Sequence, residues 1–357
     1  MAKLISFIRL AHLRMSDLHV GFDSQIIRRQ GQGGISRYFS ELSAQLIAAG
    51  LHVSHEQPTR LFRTGYRAWR HADVIHGTFY GGAPYRLKPS QRLVSSLFDM
   101  VPERYPEHFL FPGLRSPHAN KKSWLFASDK ILSISAASAD DLYFYSPVNL
   151  PPVDIIHLST SINLLPTQSI PALEQRRFWL MIGKRQAYKN GRVLLRALAA
   201  LRLTVKQSSF YPLLIFVGGG PWSVSEKRWI ADHQLDHIVL QVNASDLQLG
   251  WLYKNADAVF VPSLAEGFSL PLIEALSCDT PVVASDIEAH REVSQKYATL
   301  LSPLNTFLWA DWMREHAAIT PEKPSLVLGR ESYISLCSHY SPPRMTREHI
   351  CSYQSLF

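Results

Sequence analysis

Three cysteines serve 357 residues, Cys278, Cys337 and Cys351, and their spacing matches no metal-binding pattern. So sparse and odd a set excludes a disulfide framework and points to a reducing compartment, hence to the cytoplasm. No uninterrupted apolar run approaches the ~20 residues that cross a bilayer. The 15 histidines form no H-E-x-x-H cluster, so no bound catalytic metal is expected. A G-x-G-x-x-G fingerprint is missing too, which weighs against a dinucleotide oxidoreductase. Nor is there zinc-finger spacing, an aromatic-basic RNA motif or a long Lys/Arg block, so nucleic acid is not an expected partner.

What is there describes a soluble globular protein, 46% hydrophobic and 18% charged, long enough for two domains. Its net charge of +8 is uneven. Residues 1–165 hold 18 Lys/Arg against 12 Asp/Glu, and residues 166–357 hold 19 against 17. A basic first half suits an anionic membrane face or an anionic substrate. Residues 1–14 place Lys3, Arg9 and Arg14 among apolar positions. They read as a short basic amphipathic helix on a membrane, or more plainly as the product of an upstream start codon preceding Met15.

Along the chain, apolar periodicity predicts strands at 18–22, 74–76, 92–97, 130–135 and 154–158, with helices over 37–49 and from Ser138. A stretch rich in Pro, Ser and Thr, from about 159 to 171, reads as a linker. The rhythm then restarts, with strands at 178–182, 213–217, 238–242, 258–261 and 281–284. Helices are expected over 191–203, 246–256 and 272–277, and a closing helix over 344–356. Two βα series joined by a linker predict an α/β protein with two Rossmann-like, doubly wound domains facing a central cleft, over 1–165 and 166–340. Residues 341–357 are expected to pack back on the first domain.

Four constellations carry chemistry. In Glu266-Gly-Phe-Ser-Leu-Pro-Leu-Ile-Glu274 two carboxylates flank a turn between a strand and a helix. Carboxylates accept hydrogen bonds from sugar hydroxyls, and the free N–H groups of a helix start hold anions. Gly183-Lys-Arg-Gln-Ala-Tyr-Lys-Asn190 sets three cations directly after a strand, as binding a diphosphate requires. Gln32-Gly-Gly-Ile-Ser-Arg37 offers glycines that let a backbone approach a phosphate. Asp99, in Phe98-Asp-Met-Val-Pro-Glu103, sits at a strand's carboxyl edge, as does His76. For each, a plain surface loop, a turn or a structural histidine is the competing reading.

These residues resemble a known family, the family-4-type retaining glycosyltransferases of GT-B fold. The resemblance covers nearly the whole chain from Leu18. Glu266 to Glu274 with the tail Thr280-Pro-Val-Val-Ala-Ser-Asp286 is its most specific part. Gly33-Gly-Ile-Ser-Arg-Tyr-Phe39 and Asp99 to Glu103 are similar to members that build bacterial surface polysaccharides, including lipopolysaccharide. The resemblance implies hexose transfer, of mannose or glucose type, from a UDP- or GDP-sugar to a glycan or lipid-linked acceptor, with retention and without metal or other cofactor. It implies that Glu274 binds the donor ribose and that Lys189, with Lys184 or Arg185, binds the diphosphate. Glu266 with Gly267, Phe268, Ser269 and Leu270 would contact the sugar, and Gly33 and Gly34 the phosphates. Glu266, Lys189, Arg185 and Asp99 are the expected catalytic set.

Three departures stand out. Phe98 replaces a histidine, Asp279 replaces a glycine, and Lys184 and Arg185 compete for one cation's place. The rival readings are a catalytically silent partner subunit and a same-fold nucleotide-sugar epimerase.

Overall fold

A computed structural model describes residues 18–29, 33–56, 71–109, 116, 118–146, 149–185, 187–204, 211–317 and 328–357. The segment 1–14 and Gln32 lie outside these. The chain divides into two compact units, Met1–Ser159 with Ser341–Phe357, and Thr160–Tyr340.

The first unit is built on six strands: β1 (His19–Phe22), β2 (His52–His55), β3 (Val74–Gly77), β4 (Arg92–Leu97), β5 (Lys130–Ser133) and β6 (Val153–Ile155). All pair in parallel, in the order β2-β1-β3-β4-β5-β6. Every residue of β3 and β5 is buried, as expected where helices cover both faces of a parallel sheet. The connecting helices are α1 (Gln25–Arg29), α2 (Gly34–Ala48), α3 (Val101–Arg104), α4 (Lys121–Ala127) and α5 (Ala136–Tyr145). Helix α2 starts three residues before the expected Arg37, because Gly33 is its N-cap and Gly34 its first residue.

The second unit repeats the plan with β7 (Phe178–Ile182), β8 (Leu213–Val217), β9 (Val239–Val242), β10 (Ala258–Val261), β11 (Val282–Ser285) and β12 (Thr299–Leu301). These are parallel throughout, in the order β12-β11-β10-β7-β8-β9. Its helices are α6 (Arg192–Thr204), α7 (Val224–Asp232), α8 (Asp246–Asn255), α9 (Leu270–Ser277), α10 (Glu288–Ser294), α11 (Thr306–Ala317) and α12 (Arg330–His339). Trp179, Phe216, Phe260 and Trp309 fill one core between sheet and helices. The expected linker is no loose connection. Ile162–Leu164 forms a 3₁₀ turn, Ile162 is buried, and Gln168 N–H bonds the Leu247 carbonyl at 3.1 Å, laying the segment on α8.

The last helix, α13 (Pro342–Gln354), belongs to the first unit. It is stitched there by buried polar groups. Tyr353 Oη lies 2.7 Å from His76 Nδ1, His76 Nε2 lies 2.8 Å from Ser96 Oγ, and Tyr38 Oη lies 2.7 Å from His349 Nε2. Both of its ring nitrogens engaged, His76 is a structural histidine holding the closing helix; burial keeps its pKa well below the usual range.

Candidate active site

In the second sheet the connection leaving β7 goes to β8 on one side, while β10 pairs on the other. The carboxyl ends of β7 and β10 therefore form the topological switch point, where open α/β sheets bind ligands. The loop after β7 carries the three cations, and the loop after β10 carries Glu266. They are tied together directly. Lys189 Nζ donates to Glu266 Oε1 at 2.6 Å, Ser263 Oγ donates to the same oxygen at 2.6 Å, and Leu264 N–H bonds the Tyr188 carbonyl at 2.7 Å. Asn190, at φ 54°, donates through Nδ2 to the carbonyls of Pro262 (3.1 Å) and Pro303 (2.9 Å). Sequence reading gave Asn190, Ser263 and His290 no role.

Burial alone would push the Glu266 carboxyl up. The charge of Lys189, the His290 ring and the bonds from Lys189 and Ser263 outweigh that and hold it below the usual carboxylate range. It is an anion, half-buried and oriented. His290 is fully buried, and burial lowers its pKa. Its Nδ1 lies 2.8 Å from the Ser285 carbonyl, which places the proton of the neutral ring on Nδ1.

The structure separates the two competing cations. Arg185 is 3% exposed, and its donors go to Glu226 Oε1 (3.2 Å) and to the carbonyls of Gly218 (3.2 Å), Gly220 (2.9 Å) and Pro221 (3.1 Å), with Trp222 beneath its guanidinium. These bonds make it a brace that fixes the glycine turn after β8. Lys184 is exposed, and Lys189 half-buried. The turn that Arg185 braces is closely fitted, since a Cβ on Gly219 would stand 2.8 Å from the Gly183 carbonyl oxygen.

Glu274 falls in the middle of α9, buried, its Oε2 accepting from Tyr253 Oη at 2.6 Å. Phe268 turns into the core against Tyr340, ring centroids 5.9 Å apart. Leu270 opens α9, and Gly267 and Ser269 are buried beside it. Asp279 takes the left-handed conformation, φ 56°, that a glycine would adopt after α9, and its Oδ1 accepts from Leu328 N–H at 3.2 Å. Aspartate tolerates that region, so the departure leaves the turn intact.

In the first unit the switch point lies between β1 and β3. There Asp23 is buried and accepts from the N–H and Oγ1 of Thr78, the N–H and Nε2 of Gln25, and Tyr85 Oη. A cavity of about 410 Å³ opens beside it, lined by Gln25, Arg28, Arg29, Phe79, Gly81 and Tyr85. Arg29 stacks on the Phe79 ring at 4.7 Å. No sequence motif marked this place, since its residues come from two distant loops. Gly33 and Gly34 start α2 in the same unit. Asp99 follows β4, where its Oδ1 accepts from the N–H of Val101, the first residue of α3, at 3.0 Å. Phe98 packs edge-on against Tyr38 and Phe39. Among the described residues no group of three or more His, Cys, Asp or Glu is set to hold a metal, and no helix is long and apolar enough to cross a membrane.

Residues 167–305 match the family model described as glycosyl transferases group 1. The second unit therefore carries a group 1 glycosyl transferase domain, and the resemblance read from the sequence holds. Among curated relatives, O-antigen chain mannosyltransferase B of Escherichia coli is 28% identical over 66% of this chain and 63% of its own length. O-antigen chain mannosyltransferase RfbU of Salmonella typhimurium is 27% identical over 50% of this chain. The aligned part spans about half to two thirds of these relatives, 48% of RfbU at the lower end. Solved structures share the fold: sucrose-phosphate synthase of Thermosynechococcus elongatus (TM-score 0.67, 16% identity, 95% of this chain and 99% of that one) and HepE of Anabaena in complex with UDP-glucose (TM-score 0.66, 16% identity, 95% and 100%).

Proposed function

We propose that the protein transfers a hexose of mannose or glucose type from a nucleotide-diphosphate sugar to a glycan or lipid-linked acceptor, with retention of configuration, in surface polysaccharide synthesis. The observation that carries this reading is the Lys189–Glu266 contact of 2.6 Å at the second switch point. It joins a cation suited to a diphosphate to an anion suited to sugar hydroxyls. The mannosyltransferase names of the relatives favour mannose, and the UDP-glucose complex of HepE favours a nucleotide-sugar donor.

In this reading Lys189 and the exposed Lys184 stabilise charge developing on the departing diphosphate. Glu266 orients the sugar through its hydroxyls, and Glu274 takes the ribose. No side chain forms a covalent intermediate, and no metal or other cofactor is required. The acceptor belongs to the first unit. The cavity beside Asp23, with Arg28 and Arg29 at its mouth, is suited to an anionic or hydroxylated acceptor. The basic first half supports peripheral contact with the inner, cytoplasmic face of a membrane.

Incubating purified protein with UDP- and GDP-sugars and candidate acceptors, while reading nucleotide release, tests the proposal. A glycosylated product whose anomeric signal matches the donor's, formed equally in EDTA, is the expected result. Phe98, packed among aromatic rings where a histidine was expected, favours the silent-subunit reading, for which no donor would release nucleotide. An epimerase would return an isomerised sugar with no elongated glycan.

A further inference from the structure

His290 stands close enough to the Lys189–Glu266 pair to feel both charges, yet it bonds to neither. Its ring is fully buried, and its Nδ1 faces the Ser285 carbonyl at 2.8 Å. Its Nε2 is also buried and has no hydrogen-bond partner. An unpaired polar atom in such a place calls for an explanation. With the proton on Nδ1, that nitrogen is an acceptor only, and so is the Glu266 carboxylate, so the two cannot bond to each other. Both bonds that Glu266 receives, from Lys189 and Ser263, fall on Oε1, and among the described residues none falls on Oε2. Glu266 favours a proton on the ring and Lys189 opposes it. The other charged groups near α10 are engaged elsewhere or outward. Glu274 of α9 is turned to Tyr253, Arg291 is paired with Asp286, Glu288 is exposed and Glu292 half-buried. The hydroxyls of Ser285 and Ser294, buried and unpaired as well, carry no charge.

Lys189 cannot serve two anions equally. In the donor reading above, on which this inference rests, it binds the diphosphate. Glu266 then loses the cation that offsets its burial, and a carboxylate without a counter-charge is costly there. We infer that His290 is a positioning residue, the reserve counter-ion of Glu266: as a donor draws Lys189 onto its diphosphate, His290 Nε2 takes one proton from solvent and donates it in a hydrogen bond to the carboxylate. The Nδ1–H stays on the Ser285 carbonyl. Glu266 thereby remains an oriented anion while the sugar is bound. Imidazole suits this role, since modest changes in nearby charge carry it across neutral pH.

The test is calorimetry of GDP-mannose and UDP-glucose on the full chain at about pH 7, each in two buffers of different ionisation enthalpy. Sugar nucleotides are the probes because a diphosphate esterified at both ends does not itself titrate near neutrality. The change of observed heat between buffers gives the protons taken up. The sugar nucleotide that the wild type binds should bring an uptake approaching one proton. His290→Asn keeps a donor for the Ser285 carbonyl but cannot ionise. It should bind without uptake and with affinity lowered by roughly 3- to 10-fold, the scale of one hydrogen bond. A merely structural histidine would lose affinity or stability without altering the proton count. Wild-type binding with no uptake, or an uptake that survives in His290→Asn, overturns the inference. Imidazole NMR of the free protein gives a second measurement should His290→Asn fail to fold. Lys189→Met removes the opposing charge and should move the His290 titration upward by roughly one pH unit; an unmoved titration overturns the inference as well. If the wild type binds neither probe, the donor reading fails and the coupling to donor fails with it, while the NMR titration still decides whether His290 and Glu266 pair.

Discussion

Glu266 stays charged although it is half-buried, because Lys189, Ser263 and the neighbouring His290 all favour its anion. Glu266→Gln keeps the shape and one acceptor oxygen but removes that charge. Turnover is expected to fall by about 10²-fold or more, the scale of losing one transition-state contact; near-normal initial rates would remove Glu266 from the mechanism. Lys189→Ala should weaken nucleoside diphosphate binding, and an unchanged Kd in calorimetry would defeat its phosphate role. It should also make the second unit less stable above the carboxylate's unfolded pKa of about 4.3. There the pair favours the folded state, and its contribution is lost as pH falls through the lowered folded value.

Asp23 behaves in the opposite way. Burial pushes its pKa up to about 6, against hydrogen bonds from Thr78 and Gln25 that lower it. Between its unfolded value near 4 and 6 the folded state therefore holds the extra proton, so stability falls as pH rises through that window, by up to roughly 3 kcal/mol. Asp23→Asn should flatten that fall, as read from urea midpoints of the first unit at pH 4.5 and 7. An unchanged pH profile would show that Asp23 is ionised in the fold throughout.

At the scale of elements, the loops after β7 and β8 hold each other by close backbone fit as well as by side chains. Gly219 has φ 72°, and a Cβ there would meet the Gly183 carbonyl oxygen at 2.8 Å and Lys184 Cα at 3.2 Å. Gly219→Ala should cost about 2–4 kcal/mol by urea denaturation, from left-handed strain plus the clash. A cost below 1 kcal/mol would mean that the loop after β7 yields. Elements with one dominant signal were legible beforehand. β7, β8 and β10 are unbroken apolar runs, and each was expected over its observed residues. Helix α9 begins two residues earlier than expected because Pro271 sits in its first turn, where a missing N–H costs nothing. The edge strand β2, His-Val-Ser-His, carried no apolar pattern and was not anticipated. Helix α7 was missed although Ser223 and Glu226 spell a capping box, a signal that could have found it.

At the scale of the whole molecule, the chain crosses from the first unit to the second at Ser159–Thr160 and returns at Tyr340–Ser341, so α13 completes a fold begun more than 300 residues earlier. That return is held by the Tyr353–His76–Ser96 chain of hydrogen bonds. Tyr353→Phe strands a buried His76 nitrogen. It should lower the stability of the first unit by about 1–3 kcal/mol and leave the second unit's transition in place, as followed by thermal unfolding with a probe in each unit. A single shifted transition would show that the units unfold together.

By itself the sequence determined the two doubly wound series, the resemblance to the group 1 glycosyl transferases and which loops hold the cations and the paired carboxylates. Each of those is written in local periodicity or in a contiguous motif such as Glu266 to Glu274. The tertiary structure alone decided which cation is available. Lys184 and Arg185 are equivalent in a string of letters, and only the carbonyls of Gly218, Gly220 and Pro221 gathering around Arg185 make it a brace. It alone also revealed that His76 is structural, that Asp23 anchors a cavity, and that the His290 Nε2 lacks a partner. Such roles depend on which distant groups meet a side chain, and that pairing is set by the packing of whole sheets and helices.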